Sequence, residues 1–175
     1  MKERFPGLVK KRRSIRKFNG EYIPDETIDQ ILSLSATFVP SWIGCSVEFI
    51  VIRERKTMAE LTKCKSVGVG PLAYGDAAIV PTIDKRGRRS WVEDAAVVST
   101  YTLHAAEHYG IAAYVIYMQG RRGYTEVTED DIRDLLDIPD YYGILDIVSL
   151  GMTDNTPGEQ DLQSTIHYEK FGGKK

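Results

Sequence analysis

Four runs of mainly apolar residues divide the chain and predict four β-strands. They are VEFIVI (47–52), AAIVPTI (77–83), AAYVIYM (112–118) and ILDIVSLGM (144–152). Nearly continuous apolar runs of this length are typical of strands that are buried on both faces of a sheet. Pro81 lies inside the second run. Because proline cannot donate a hydrogen bond to a neighbouring strand, it predicts an edge strand or a bulge at that point.

Amphipathic spacing or capping signals between these runs predict helices. The predicted helices cover residues 24–34, 56–64, 91–109 and 129–139. Asp25 is the predicted N-cap of the first helix. The spacing of apolar residues in this helix places them in a stripe on one side. The third has Ser90 and Glu93 at capping-box spacing, and Gly110 supplies its stop. The alternation of helices and strands predicts a layered α/β or α+β domain.

Composition limits the class of protein. A chain of 175 residues with 42% apolar and 27% charged residues is most simply one globular domain, residues 1–175. Its net charge of −2 argues against a general binder of nucleic acid or of an acidic membrane. No apolar run is long enough to cross a bilayer, and no secretory leader opens the sequence. The two cysteines, Cys45 and Cys64, do not make a disulfide framework, and they form no CxxC pair. We therefore expect a reducing cytoplasmic location.

The segment KKRRSIRKFNG (10–20) is strongly basic although the net charge of the chain is negative. It has six basic side chains in eight positions. Arginine binds phosphate through a two-pronged hydrogen bond, and a serine hydroxyl adds a neutral donor. In an extended chain, Arg12, Ser14 and Arg16 would project to one side and Arg13 to the other. The segment is therefore a candidate phosphate site. Two alternatives stay open, a solvated basic strip and a nucleic-acid-binding arm.

Six short motifs resemble the nitroreductase-like flavoproteins, in the order and spacing of that family. They are RRSIRKF (12–18), IPDETIDQIL (23–32), PSW (40–42), LHAAEHYGIAAYVI (103–116), LGM (150–152) and IHYEKFG (166–172). The resemblance implies an α+β fold with a central, mainly antiparallel sheet flanked by helices. It also implies a homodimer with two FMN sites, and NAD(P)H-dependent oxidoreductase activity. The implied reaction is ping-pong, with hydride passing through flavin N5 to a quinone, nitroaromatic or similar small acceptor.

The resemblance also assigns roles to particular residues. Arg12, Arg13 and Ser14 match positions that hold the FMN phosphate and ribityl chain. Arg16 matches a catalytic cation beside flavin N1 and O2, where negative charge develops during reduction. Two further groups of three residues match segments that line the flavin ring. In the family, the first segment is often supplied by the partner subunit, and the backbone of the second faces the ring near N5. The two groups are Pro40, Ser41 and Trp42, and Ile116, Tyr117 and Met118.

The sequence departs from the family in two places, and this keeps a second function open. The loop PSWIGCSVEF lacks the N-x-Q-P-W amides, and NTPGEQDLQSTIHYEKF is acidic where a cation is expected. A redox-inactive flavin-fold binding or interaction protein is therefore the alternative. HAAEH (104–108) also matches an H-x-x-E-H zinc motif, but it lacks an evident third ligand, so we predict no metal. The glycine-rich GVGPLAYGD (68–76) is predicted to be a loop.

Overall fold

The computed structural model describes residues 5–37, 47–65, 67–87, 89–118, 129–155, 158 and 164–173. Within these ranges, short helices alternate with the strands of one sheet. The helices are α1 (Phe5–Lys11), α2 (Asp25–Ala36), α3 (Arg55–Lys63), α4 (Gly70–Tyr74), α5 (Trp91–His108) and α6 (Glu129–Leu135). The strands are β1 (Val47–Ile52), β2 (Ala77–Asp84), β3 (Ala112–Tyr117), β4 (Tyr142–Ile144) and β5 (Asp146–Gly151).

The sheet has the strand order β1-β2-β5-β3, with β4 paired to β2. Every neighbouring pair of strands is antiparallel, which confirms the predicted α+β fold with a mainly antiparallel sheet. Three of the four apolar runs each form one strand. The run 144–152 instead contributes the end of β4 and all of β5, separated by Leu145.

Pro81 lies inside β2, which has neighbours on both sides, so of the two predicted alternatives, an edge strand or a bulge, the edge strand is wrong. On one side Pro81 is in register with Phe49 of β1. On the other side β4 pairs with Thr82–Asp84 and β5 with Ala77–Ile79. Pro81 therefore lies at the break between two short partner strands, where the ladder on that side is interrupted.

Each face of the sheet carries its own layer of helices. On the first face, Met58 and Leu61 of α3 pack with Ile116 of β3 in one buried cluster. On the second face, Ile31 of α2 and Ala106 of α5 pack with strand residues in another. β2 and β5 are buried along their whole length, as their apolar runs predict. β1 has two exposed residues, because it lies at one edge of the sheet, so burial on both faces was wrong for this strand.

The positions of the helices were predicted more accurately than their caps. α5 begins and ends within one residue of the prediction, yet its N-cap Ser90 makes no side-chain cap bond. α2 begins at Asp25, so the N-cap is Pro24 and the predicted role of Asp25 was wrong. α1 was not predicted, and the five residues of α4 lie in a stretch predicted to be a loop. Helices this short have little periodicity from which to predict them.

Asp76 joins the chain before α2 to the sheet. Its carboxylate accepts the backbone N–H of Ile23 at 2.9 Å and forms a short ion pair with Arg53. Arg53 also contacts Asp25 at 2.5 Å, and its guanidinium lies 4.0 Å from the centre of the Tyr22 ring. Because Asp76 is 8% exposed, this network satisfies charges that burial would otherwise penalise.

Candidate functional site

The basic segment is held against the edge of the sheet. α1 ends at Lys11, and the chain then runs extended past β3. Ser14 forms a parallel bridge with Ala113, and the Ile15 N–H donates to the Ala113 carbonyl at 3.3 Å. The backbone of the segment is therefore docked on the sheet, although Ser14 and Arg16 keep exposed side chains.

The chain beyond Arg16 is fixed to the residues that follow β5. The backbone N–H of Asn19 donates to the Met152 carbonyl at 2.9 Å, and Thr153 Oγ1 donates to the Lys17 carbonyl at 2.9 Å. Phe18 packs so closely on Gly151 that a Cβ there would lie 2.4 Å from the Phe18 ring. The local sequence thus positions the basic side chains by contacts on both sides of them.

Arg13 stabilises the turn between α1 and the extended segment. Its guanidinium donates to the carbonyls of Lys10 at 2.7 Å, Arg12 at 2.8 Å and Gly158 at 3.0 Å. All three partners are neutral, so none of these bonds compensates the positive charge of Arg13, and no carboxylate among the described residues is bonded to it. Arg13 therefore has a structural contact and a charge that an anion could still use.

Arg12 and Arg16 lie near different elements. Arg12 lies close to His104 of α5, where burial, and secondarily the charge of Arg12, lower the pKa of the histidine. The His104 Nδ1 has no hydrogen-bond partner among the described residues. Arg16 instead stacks on Tyr114 of β3, with its guanidinium carbon 4.6 Å from the ring centre. The sequence could not predict this separation, because both neighbours are distant in the chain.

β3 presents an open backbone edge beside Arg16. Its ladder to β5 is complete, and the Ile15–Ala113 bond shows that the backbone groups of Ala113 point away from β5. Because directions alternate along a strand, those of Val115 and Tyr117 point the same way. Their N–H groups have no backbone partner within the described ranges. This edge can therefore donate hydrogen bonds to a flat, polar ligand.

The three residues predicted to line a ring at this strand have different environments. The side chains of Ile116 and Met118 are buried in the core, at 2% and 3% exposure. The Met118 N–H is already donated to the Leu145 carbonyl at 2.9 Å, and Ile116 is in register with Ile147 of β5. Tyr117 is 60% exposed. Among the three, Tyr117 has the backbone N–H directed at the open edge.

Lys65 is a contact that sequence reasoning missed. It follows α3, and its Nζ donates to the Tyr117 carbonyl at 2.5 Å. Nothing in the motif pattern marks it, since it is one lysine in the short stretch KCKS. Recognising it requires knowing that the C-terminal end of α3 meets the end of β3.

A buried acid lies beside the same end of β3. Asp146 of β5 is in register with Tyr117, and its side chain is 1% exposed. Ser99 Oγ of α5 donates to Asp146 Oδ1 at 2.7 Å, whereas Oδ2 has no partner among the residues described. Burial raises the pKa of Asp146 to about 6, and the Ser99 bond opposes this shift.

An open apolar groove of about 500 Å³ lies between α1, α2 and α5, and it contains none of the predicted ring-lining residues. Phe5, Leu34 and Tyr101 line it, and they are 72%, 39% and 43% exposed. Large apolar side chains grouped on one open face are typical of an interaction surface. The sequence did not predict this groove, since α1 was not predicted either.

The remaining predictions concern absent or undescribed features. Pro40, Ser41 and Trp42 lie outside the described residues, as does Cys45. His104 and His108 share a face of α5, but no group of three or more potential metal ligands occurs in the part of the chain that the structure describes. Within the same part, no helix combines the length and the apolar character needed to cross a membrane.

The donor set at this edge fits a phosphate linked to a flat heterocycle. Arg12, Arg13 and the exposed Ser14 hydroxyl supply the charge and hydrogen bonds that a phosphate requires. Arg16 and the open N–H groups of β3 lie further along the same edge. The arrangement can therefore hold a phosphate at one end and an electron-rich ring at the other.

Comparisons with known proteins agree with this geometry. A protein of Methanothermobacter thermautotrophicus named "Putative NADH dehydrogenase/NAD(P)H nitroreductase" is 30% identical over 172 residues, covering 93% of this chain and 85% of that one. The solved structure of an FMN-dependent nitroreductase from Clostridium difficile is 30% identical, with a TM-score of 0.85 over 95% of this chain and 100% of that one.

A structure from Parabacteroides distasonis, named "Putative NADH dehydrogenase/NAD(P)H nitroreductase", shares the fold at 22% identity. Its TM-score is 0.80, over 93% of this chain and 96% of that one. The sequence model of the Nitroreductase family matches residues 9–98, which include the basic segment and end within α5. The docked basic segment, the antiparallel sheet and these similarities lead to one conclusion: the chain belongs to the nitroreductase family.

Proposed function

We propose that this protein is an FMN-dependent oxidoreductase that takes reducing equivalents from NADH or NADPH and delivers them to a small acceptor such as a quinone or nitroaromatic. The observation that carries the proposal is the open edge of β3 beside the docked segment Arg12–Arg16. The family membership supports it, as does the similarity to the Clostridium difficile protein, which is named as an FMN-dependent nitroreductase.

Arg12, Arg13 and Ser14 would hold the phosphate of FMN. Arg12 and Arg13 have no carboxylate partner among the described residues, so no described carboxylate competes with a phosphate for their charges. Ser14 is exposed and its hydroxyl can donate. Because the bridge to Ala113 fixes the backbone at Ser14, these donors are already ordered before the ligand arrives.

Arg16 and the backbone of Tyr117 would hold the ring. Bound FMN would supply the two-electron chemistry, since a flavin accepts a hydride from a nicotinamide and passes it on. Arg16 is held on Tyr114, so its charge is fixed close to the edge where extra negative charge would be stabilised. The predicted ping-pong order follows if nicotinamide and acceptor use the same exposed side in turn.

We also propose a homodimer that is formed through the groove between α1, α2 and α5. Phe5 and Tyr101 are large and exposed there, and a second copy would remove them from water. Pro40, Ser41 and Trp42 would line the ring of the partner's site. Size-exclusion chromatography with light scattering tests this. A wild-type dimer that Tyr101→Glu converts to a monomer supports it, and a wild-type monomer refutes it.

The decisive experiment is an anaerobic titration of the FMN-reconstituted protein with NADH and with NADPH. We expect bleaching of the yellow colour, followed by reoxidation on addition of a quinone. Arg16→Ala should retain bound FMN but slow its reduction by about 10- to 100-fold, because one fixed charge is lost. Lys56→Ala, an exposed lysine in the first turn of α3, is the control.

Other outcomes select other functions. A protein that binds FMN but is not reduced by either nicotinamide would be the redox-inactive binding protein. A protein that cannot be loaded with FMN would refute the oxidoreductase proposal. Strong, salt-dependent binding of DNA or RNA by a protein that cannot be loaded with FMN would instead support the nucleic-acid-binding arm.

A further inference from the structure

Two cations contact β3, Arg16 at the side chain of Tyr114 and Lys65 at the backbone of Tyr117, where the open edge lies. Arg16 stacks on the ring of Tyr114, and Lys65 Nζ donates to the carbonyl of Tyr117. Tyr114 and Tyr117 are three positions apart along the strand, which corresponds to about 10 Å. The unpaired N–H groups of Val115 and Tyr117 lie between them.

Both cations approach from the same side of the sheet. Tyr114 packs against the buried cluster that contains Ile116 and Met118. α3 contributes Met58 and Leu61 to that cluster, and Lys65 lies just beyond the end of α3. A ligand lying along the edge on this side would therefore meet the guanidinium at one end and the ammonium at the other.

The charge of Lys65 is not neutralised by a carboxylate within the described residues. The interior arginines differ in this respect, since Arg53 pairs with Asp76 and Arg133 pairs with Glu129. The neighbouring Lys63 pairs with Glu60 at 2.6 Å. Lys65 instead contacts a neutral carbonyl, which uses one of its three donors and leaves two available.

We propose that Lys65 is a second coenzyme-facing cation, which acts with Arg16 to favour the reduced form of the flavin. The inference rests on the proposed function and extends it to a residue that the family motifs did not mark. A hydride from NAD(P)H carries two electrons and one proton, so the ring gains one negative charge while the nicotinamide becomes cationic. A fixed ammonium therefore binds the reduced ring more tightly than the oxidised ring.

The size of the effect follows from the exposure of Lys65, which is partly buried. An interaction between unit charges at a half-exposed site is screened well below its value in the interior. We expect Lys65 to change the ratio of affinities for reduced and oxidised FMN by about tenfold. For a two-electron couple this corresponds to about 30 mV.

The experiment is anaerobic potentiometric titration of FMN-loaded protein in wild type, Lys65→Gln, Lys65→Ala and Lys65→Arg, with Lys63→Gln as the matched control. We expect both neutral Lys65 variants to lower the midpoint potential by about 30 mV. Lys65→Arg and Lys63→Gln should stay near wild type, because the first keeps the charge and the second removes a charge paired with Glu60.

A purely structural lysine gives a different result. Lys65→Gln and Lys65→Ala would then lower the melting temperature while the midpoint potential stayed at the wild-type value, and this overturns the inference. Dissociation constants for oxidised FMN, measured by fluorescence quenching, distinguish failure of the inference from failure of the proposed function. If wild type does not bind FMN, the proposed function fails. If it binds FMN and the neutral variants keep its potential, the inference about Lys65 fails alone.

Discussion

Replacing Asp146 by asparagine should stabilise the protein at neutral pH and remove the part of its pH dependence between 5 and 7.5 that comes from this carboxyl. Asp146 is 1% exposed, and its Oδ2 has no partner among the described residues. A carboxylate in this position is poorly solvated when ionised. Asparagine keeps an oxygen for the Ser99 hydroxyl, which lies 2.7 Å from Oδ1, and it removes the charge.

The magnitude follows from the pKa, which burial raises from 3.8 to about 6. A raised pKa means that the folded protein prefers the protonated acid. The corresponding stability is therefore complete below about pH 4 and is lost as the pH rises through about 6. Roughly two pKa units at about 1.4 kcal/mol each give a penalty of about 3 kcal/mol at neutral pH. This is the upper limit of the stabilisation by Asp146→Asn at pH 7.5, because the new amide N–H2 group has no acceptor among the described residues.

Urea denaturation of wild type and variant at several pH values between 4.5 and 7.5 measures the effect as a difference in free energy of unfolding. Asp29→Asn is the control, because it makes the same charge change at an exposed position of α2. The difference between Asp146→Asn and wild type should grow with pH, whereas that for Asp29→Asn should stay constant. A difference for Asp146→Asn that does not change across this range would refute the reasoning from burial.

Two further predictions concern the contacts that position the site. Asp76→Ala should lower the free energy of unfolding by about 3 kcal/mol, because it leaves Arg53 and the Ile23 N–H without their buried acceptor. Asp25→Ala, at the 75% exposed partner of Arg53, should cost less than about 1 kcal/mol in the same thermal or urea unfolding assay; equal losses would contradict the assignment. Gly151→Ala should destabilise by about 1–3 kcal/mol, because the new methyl group overlaps Phe18. It should also weaken FMN binding in a fluorescence titration, whereas Gly70→Ala, which meets no atom within 4 Å, should leave binding unchanged.

The apolar pattern of the sequence predicted where the strands lie. Their antiparallel arrangement was predicted only through the family resemblance. Apolar runs mark β1, β2 and β3 within a residue or so, because buried strands need continuous apolar side chains. The strand order depends on long-range pairing, which a local pattern does not contain. The break at Leu145 and the position of Pro81 opposite it could not be found for this reason.

In the candidate site, too, features that are local in the chain were predicted and features that depend on packing were not. The basic segment was recognisable, because Arg12, Ser14 and Arg16 stand together in the chain. Lys65 was not, since its relation to Tyr117 exists only after α3 has packed on the sheet. The motif residues Ile116 and Met118 proved to be core side chains whose neighbour Tyr117 presents the open backbone.

The partly covered edge of β3 has a consequence for the protein before it acquires its coenzyme. The chain at Ser14 and Ile15 covers the beginning of this strand, and within the described ranges no strand pairs on that side with the stretch near Val115 and Tyr117. An uncovered strand edge is a template for pairing with other polypeptides. The ligand-free protein is therefore the form most exposed to self-association, and filling the site with its coenzyme would protect solubility as well as supply chemistry.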